Sequence, residues 1–569
     1  MPLTPVPSPQ REEGEQRATI MTSMDERRTF FISRWIFLRL LGVVYLAAFL
    51  SLWVQVNGLI GSSGILPIAD YLESVREVTG MERYYLLPTL CWLDPSDICL
   101  HFQCAAGVLL ACFLILGLAP ALVLFLLWAC YLSLTVAGQE FLGYQWDALL
   151  LETGLLAIFI APLQVWPRLG RDAPPSRVVL WLFRWLLFRL VFGSGVVKLL
   201  SGDATWRHLT SLQFHYETQP LPTWTSWYMH QLPAWFQSLS VLEMFVVELL
   251  LPLLIFGPRR LRHLSCAGIV GLQILIAATG NFGFFNLLTV ALCVLLLDDD
   301  FFPVSWRRGP SPHPNPPPQR GRDREQEPPP QGRREREQDS LPQAGKEGGR
   351  ELDPRLEQGR GVEQIPNLKV QRESGRWPGW VIACLAGIVG CVSLMLLADQ
   401  FLRIRHWPTP LSQVRDVIYS LRSFNNYGLF AVMTTKRPEI IVEGSNDGRT
   451  WSPYEFKWKP GTVERRPVFT GLHLPRLDWQ MWFAALDNKR QSRWFANFVV
   501  RLWQGSPAVV SLLETNPFPD RPPRYIRAQL YEYHFTDAAA RARTGAWWQR
   551  KLQGTLLSLP LGARAASPN

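Results

Sequence analysis

The sequence predicts a polytopic α-helical membrane protein of about nine spans, followed by a mostly β extramembrane carboxyl-terminal domain. Three observations predict it. The 569-residue chain is 48% hydrophobic and only 18% charged, where soluble proteins carry about 25% charged residues, yet its mean hydropathy is only +0.05, so long apolar runs must alternate with very polar segments. Many of the apolar runs approach the ~20 residues a helix needs to cross hydrocarbon. Beyond position 400 the pattern changes to short alternating runs separated by turn residues. The combination excludes a simple cytosolic multi-domain enzyme.

Residues 1–24 are Pro-rich and charged and read as a disordered, low-complexity amino terminus, with Met21 and Met24 as candidate starts directly before the first apolar run. The multi-span region covers 30–300, with candidate spans at 35–56, 98–117, 120–138, 146–162, 178–200, 235–257, 264–280 and 284–298. Between Phe301 and Arg376 there are 13 Pro, 15 Lys or Arg and 12 Asp or Glu, too little apolar content to build a core. That segment reads as a disordered cytoplasmic linker, and 377–399 as the last transmembrane helix.

Basic residues orient these spans. Arg27, Arg28 and Arg34 precede the first, Arg168, Arg171 and Arg177 follow the fourth, Arg259, Arg260 and Arg262 follow the sixth, and Arg307 and Arg308 follow the eighth. All four clusters fall on one side, which the positive-inside rule makes cytoplasmic. Nine spans then place the carboxyl-terminal domain outside. The formal net charge of +10 is read as this topology, with membrane lipids and not nucleic acid as the contact.

The outward domain is expected over 405–550. EIIVEGS and YIRAQLYEYHF read as strands, Asp447-Gly448 as a hairpin turn, and NFVVRLWQ as another strand; 551–569 reads as a loosely ordered tail. In RLDWQMWFAAL (476–486), strand alternation puts Leu477, Trp479, Met481 and Phe483 on one face and Asp478, Gln480 and Trp482 on the other. The latter three are candidates for contact with a partner.

Charges inside spans are costly and mark functional candidates. At 1.5 Å per residue, Arg189 lies roughly 16 Å from the outer end of its span and Glu248 roughly 18 Å from the outer end of the next, so the two are expected to pair. Lys198, near an outer end, is within reach of Glu152 and Glu243. These five either lock helix packing or line a pathway. The outer loop 201–233 adds Trp206, His208, His215, Tyr216, Glu217, Gln219, Pro220 and His230. His215 and Glu217 are an acid/base candidate, although on a helix they would diverge.

None of the nine cysteines forms a C-x-x-C pair, so no zinc site follows, and a bridge between Cys91 and Cys99 stays open. No nucleophile elbow, zinc-protease or nucleotide-binding motif is present, so no cofactor is expected.

GLIGSSGILP (58–67), WDALLLETG (146–154), FGSGVVKL (192–199), WRHLTSLQFHYETQPLP (206–222), YGLF (427–430), RPEIIVEGSNDGRTW (437–451), RLDWQMWFAAL and the pair Trp547–Trp548 together resemble the lipase maturation factor family. The resemblance implies a multi-pass protein, of the endoplasmic reticulum in eukaryotic relatives, that helps exported lipase-like clients mature and is not itself a lipase. Client binding would fall to Tyr427–Trp548. The proline-rich segments depart from the family pattern and look bacterial, which would put the protein in a bacterial cytoplasmic membrane. More weakly, Gly193–Lys198 with Trp206 is similar to vitamin K-dependent carboxylase-like membrane proteins, which keeps an enzyme open, and a transporter is a third reading.

Overall fold

The computed structural model describes residues 28–169, 172–307, 376–402, 418–487 and 492–559. The 1–24 terminus, nearly all of the linker and the last ten residues of the expected tail lie outside these.

Each expected span is a helix. They are α1 (Phe31–Trp53), α2 (Asp97–Leu116), α3 (Pro120–Ala137), α4 (Gln145–Ile160), α5 (Arg177–Leu200), α6 (Ala234–Phe256), α7 (Arg259–Thr279), α8 (Phe285–Val294) and α9 (Gly379–Leu402). Seven are long and apolar enough to cross a membrane. The exceptions are α4, with 16 residues, and α8, with 10, which at 1.5 Å per residue fall short of ~30 Å of hydrocarbon. Most of α4 is nonetheless buried inside the bundle, so its charged positions face protein.

Contacts between helix ends show the bundle's two faces. At one, Asp299 accepts the backbone N–H groups of Phe31 and Ile32 at 2.9 and 2.8 Å, capping donors that the first turn of α1 leaves free. Arg34 pairs there with Asp172, and Arg259 and Arg262 reach Asp298 at 3.1 and 3.2 Å. Arg28, Arg34, Arg259 and Arg262 of the basic clusters thus gather at one face. Trp377, just before α9, donates to the Ile158 carbonyl, so the linker leaves and returns at that same face.

The opposite face carries the carboxyl-terminal domain. Its main sheet has the order β2-β1-β5-β6, all antiparallel, from β1 (Arg437–Ser445), β2 (Ser452–Pro453), β5 (Tyr525–Phe535) and β6 (Trp548–Leu559). A second pair joins β3 (Glu455–Phe456) to β4 (Leu513–Thr515). Asp447-Gly448 forms the expected turn, with the Asp447 carboxylate accepting from Arg449 N and Thr450 N.

Three expectations for this domain are corrected. RLDWQMWFAAL is helix α10 (Arg476–Leu486) and not a strand; the string is buried on nearly all sides, so its polar and apolar alternation reports no sheet face. NFVVRLWQ lies in helix α11 (Arg493–Trp503), whose buried Trp494, Phe495, Phe498, Val499 and Leu502 follow a helical period. The tail expected from 551 begins as part of β6, paired with β5 through Leu559. The class of the chain, a helical membrane region followed by a region with β-strands, stands.

Candidate functional site

Most of the functional candidates converge where the face of the bundle opposite the arginines meets the carboxyl-terminal domain. Arg189 and Lys198 are nine residues apart on α5, about 180° around a helix of 3.6 residues per turn, so they serve different neighbours. Arg189 pairs with Glu152 on α4 and donates to the Asn425 carbonyl at 3.1 Å. Lys198 Nζ lies 2.7 and 2.9 Å from the Glu248 carboxylate on α6. The expected Arg189–Glu248 pair is therefore corrected: depth matched, but direction around the helix did not. Glu243 is exposed on α6 and joins neither pair.

Glu248 sits in a π-helical turn, Val246–Leu250, directly before the 3₁₀ turn that contains Pro252. Proline has no N–H for the carbonyl four residues back and its ring crowds that carbonyl, here that of Glu248 itself. The widened turn relieves the clash, as such bulges commonly do at functional sites.

Between these pairs passes the segment YGLF. Tyr427 OH donates to Glu152 at 2.7 Å, and a Cβ added at Gly193 would lie 2.8 Å from the Tyr427 carbonyl. The small residues of FGSG thus admit a backbone on one side, while Gly195 admits Glu248 and Leu249 on the other. Trp206 Nε1 donates to the Phe430 carbonyl at 3.1 Å, and the Trp206 ring lies under Lys198.

A buried guanidinium is one of the contacts that hold loop 201–233. Arg437 on β1, fully buried, donates to the backbone carbonyls of Glu217, Gln219 and Pro220 and pairs with Glu439. His215 and Glu217 both lie on helix Leu212–Thr218 and diverge as a helix requires. Glu217 accepts from Phe535 N at 3.0 Å and lies 3.2 Å from His534 and 3.7 Å from His230. His215 instead packs edge-on against Phe430, and burial, helped by Lys198, pushes its pKa down to about 4. No acid/base pair forms between them. Tyr216 is buried, Gln219 donates to the Thr279 carbonyl at 2.8 Å, and His208 is exposed and apart from the cluster.

Helix α10 completes the junction. Arg476 makes a bidentate pair with Asp147 at 2.7 and 2.8 Å and donates to the Phe141 carbonyl, the geometry that gives Arg–carboxylate contacts their strength. Asp478 accepts from Trp458 N and Lys459 N, Gln480 donates to the Glu140 carbonyl, and Trp482 Nε1 donates to the Thr218 carbonyl. All three expected partner contacts are buried, because α10 is wedged between sheet and bundle; they dock the domain and present no face to a client. GLIGSSGILP does the same, its Ser63, Gly64 and Ile65 carbonyls accepting from Ser506, Arg501 and Asn497. Cys91 and Cys99 are both free thiols, each 3.4 Å from the Gln103 amide.

Residues 32–304 match the family profile described as the lipase maturation factor transmembrane domain, and 423–558 match that of the lipase maturation factor C-terminal domain. The chain belongs to the lipase maturation factor family. It is 37% identical over 591 residues to lipase maturation factor 2 of Xenopus tropicalis, covering 93% of this chain and 82% of that protein. Lipase maturation factor 2 of Gallus gallus is also 37% identical, over 91% of this chain and 80% of its own length. Lipase maturation factor 1 of Mus musculus is 33% identical over 96% and 89%. No solved structure matches the chain. The matches give no support to the carboxylase-like or transporter readings.

The two family regions are the two sides of the junction just described. Asp147, Arg437 and Arg476 were not singled out from sequence, although each sits in one of the family strings. For Asp147 and Arg476 the signal was available, each being a charged residue inside a largely apolar or Trp-rich run, a placement that requires a partner; Arg437, between Lys436 and Pro438 with Glu439 next, carried no such signal.

Proposed function

We propose that this lipase maturation factor family member assists the folding or assembly of exported lipase-like proteins from the side on which its carboxyl-terminal domain lies, and does no covalent chemistry of its own. The observation that carries this is the match to lipase maturation factors across both regions at once. The geometry supports it: the acidic and basic groups at the junction are engaged in ion pairs and in backbone carbonyl and N–H groups. Such a network suits a rigid platform better than a reaction centre.

The client side is the exported side, the periplasm if the membrane is a bacterial cytoplasmic one. The gathering of arginines at the opposite face favours this orientation. The domain leaves Phe469, Leu472, Phe483 and Leu486 exposed near the junction, and apolar and aromatic groups of this kind supply binding energy at interfaces.

Crosslinking in living cells, followed by identification of captured proteins, tests the reading. Exported lipase-like proteins should be enriched with the wild-type chain and lost when Phe469 and Phe483 become serine at unchanged abundance. Capture without any lipase-like protein would end it. An alkaline phosphatase fused after Leu559, beyond the last strand of the sheet, reads the side separately and should be active.

A further inference from the structure

The short loop helix Trp224–His230 lies at the level where two spans end on the domain's side. Just before it, Pro222 pairs with Gly280 in an isolated β-bridge, and the Thr225 hydroxyl donates to the Ala278 carbonyl in the last turn of α7. Four residues after it, α6 begins at Ala234. The domain reaches the same level: Asn281, two residues beyond α7, donates to the Val468 carbonyl and accepts from Thr470 N, both at 2.8 Å. Both α6 and α7 are long and apolar enough to span a membrane, and most of each lies outside the protein core. Their ends on this side are therefore at the depth of lipid head groups, on the periphery of the bundle.

Rings and guanidinium groups collect there. Trp224 and Tyr228, one turn apart on the loop helix, meet edge to face with centroids 6.1 Å apart. Arg466 lies over the Trp224 ring at 5.4 Å. Arg541 lies over the Tyr228 ring at 5.7 Å, with Nη1 3.4 Å from the Tyr228 hydroxyl, and also stacks against Trp227 and Trp547. Tyr228 and Arg466 are exposed, and so is Trp235 in the first turn of α6. Neither arginine makes an ion pair among the described residues. Asp537, four residues before Arg541, accepts from Ala540 N at 2.6 Å, and Glu464, two before Arg466, pairs with neither. A guanidinium stacked on a ring keeps its in-plane N–H donors, a fork that fits a phosphate.

We propose that Arg466 and Arg541 bind head-group phosphates of anionic phospholipids in the leaflet on the domain's side, with Trp224 and Tyr228 seated among the head groups. Depth selects a lipid over an acidic protein segment. Trp224 and Tyr228 share a wall with Leu275 and Ala278, both exposed on membrane-spanning α7, and aromatic rings at this level are typical of membrane interfaces. The contact fastens the domain to the bilayer as well as to the bundle, and its test needs no client.

The full-length protein is placed in phosphatidylcholine nanodiscs doped with a phosphatidylglycerol or a phosphatidylcholine probe, each with a photoreactive diazirine next to its head group, and adducts are mapped by peptide mass spectrometry. Adducts should fall on 224–235 and 466–472, at least about fivefold more with the phosphatidylglycerol probe, a preference within the reach of two charges near the membrane surface. Soluble glycerol phosphate should not displace them, which separates a lipid from a free phosphate. Arg466→Glu, at an exposed side chain with no hydrogen-bond partner among the described residues, should keep the unfolding temperature and lose most of the preference. Arg466→Gln with Arg541→Gln should abolish it while labelling along α2 stays as in the parent. Equal labelling of these peptides by the two probes, displacement by glycerol phosphate, or a preference unchanged in both variants would each overturn the proposal. So would loss of captured client protein from Arg466→Glu cells with the lipid preference intact, which would make the patch a protein-docking surface.

Discussion

Glu152 receives an arginine from the neighbouring helix and a tyrosine hydroxyl from the carboxyl-terminal region, so a change at this residue is felt in both halves of the chain. Removing one partner of a buried pair strands the other charge, at about 3–5 kcal/mol. A double-mutant cycle on Glu152→Gln and Arg189→Met, read by thermal unfolding in detergent, should therefore show strong coupling. The cycle on Arg189→Met and Glu248→Gln should be additive within about 0.5 kcal/mol. That second result separates the observed pairing from the one depth alone suggests. His473 offers a pH test at the junction. It hydrogen-bonds Ser51, and burial, with Arg476 nearby, lowers its pKa from 6.5 to about 4. The unfolded chain takes up a proton near pH 6.5 that the folded chain refuses until near 4. Stability from this group is thus present above pH 6.5 and lost as pH falls toward 4. His473→Asn should flatten the loss of stability between pH 7 and 5 relative to the parent.

At the level of elements, the nine apolar helices were legible because length and hydropathy are local properties. Helix α10 was not, since being enclosed on nearly all sides erases any amphipathic period, leaving an accidental alternation that mimics a strand. Pro475 directly before it was the better signal, proline being favoured where a helix begins. Helix α11 did carry a readable helical period, hidden by reading only NFVVRLWQ and omitting Trp494 and Phe495. The intramembrane charges were legible as a set and their pairing was not, because depth along a helix says nothing of direction around it. Glycines separate close approach from mere flexibility. Gly193→Ala should destabilise by pressing on the Tyr427 carbonyl. Gly271, in the middle of α7 with nothing near its missing Cβ, should tolerate alanine and gain up to about 1 kcal/mol from helix propensity. Limited proteolysis in detergent reads both.

Over the whole molecule, the strings that carry the family resemblance meet in pairs across the junction. WDALLLETG meets RLDWQMWFAAL through Asp147 and Arg476, FGSGVVKL meets YGLF, and the YETQPLP carbonyls meet Arg437. No single string could reveal this, since pairing between distant segments is a property of the folded chain. The linker stands apart from it, because both of its described ends lie at the face away from the domain. Deleting 310–370 should leave insertion and unfolding temperature unchanged, and rapid degradation of the shortened chain would show that the segment does more than connect. The most direct test of a docked domain serving exported lipases is secreted lipase activity in cells lacking this protein. Lipase synthesis should be normal and secreted activity low. The wild-type chain should restore it, while Asp147→Ala, which removes the bundle's partner for Arg476 of the domain, should not at equal abundance. Full secreted activity in the deleted cells would contradict the account.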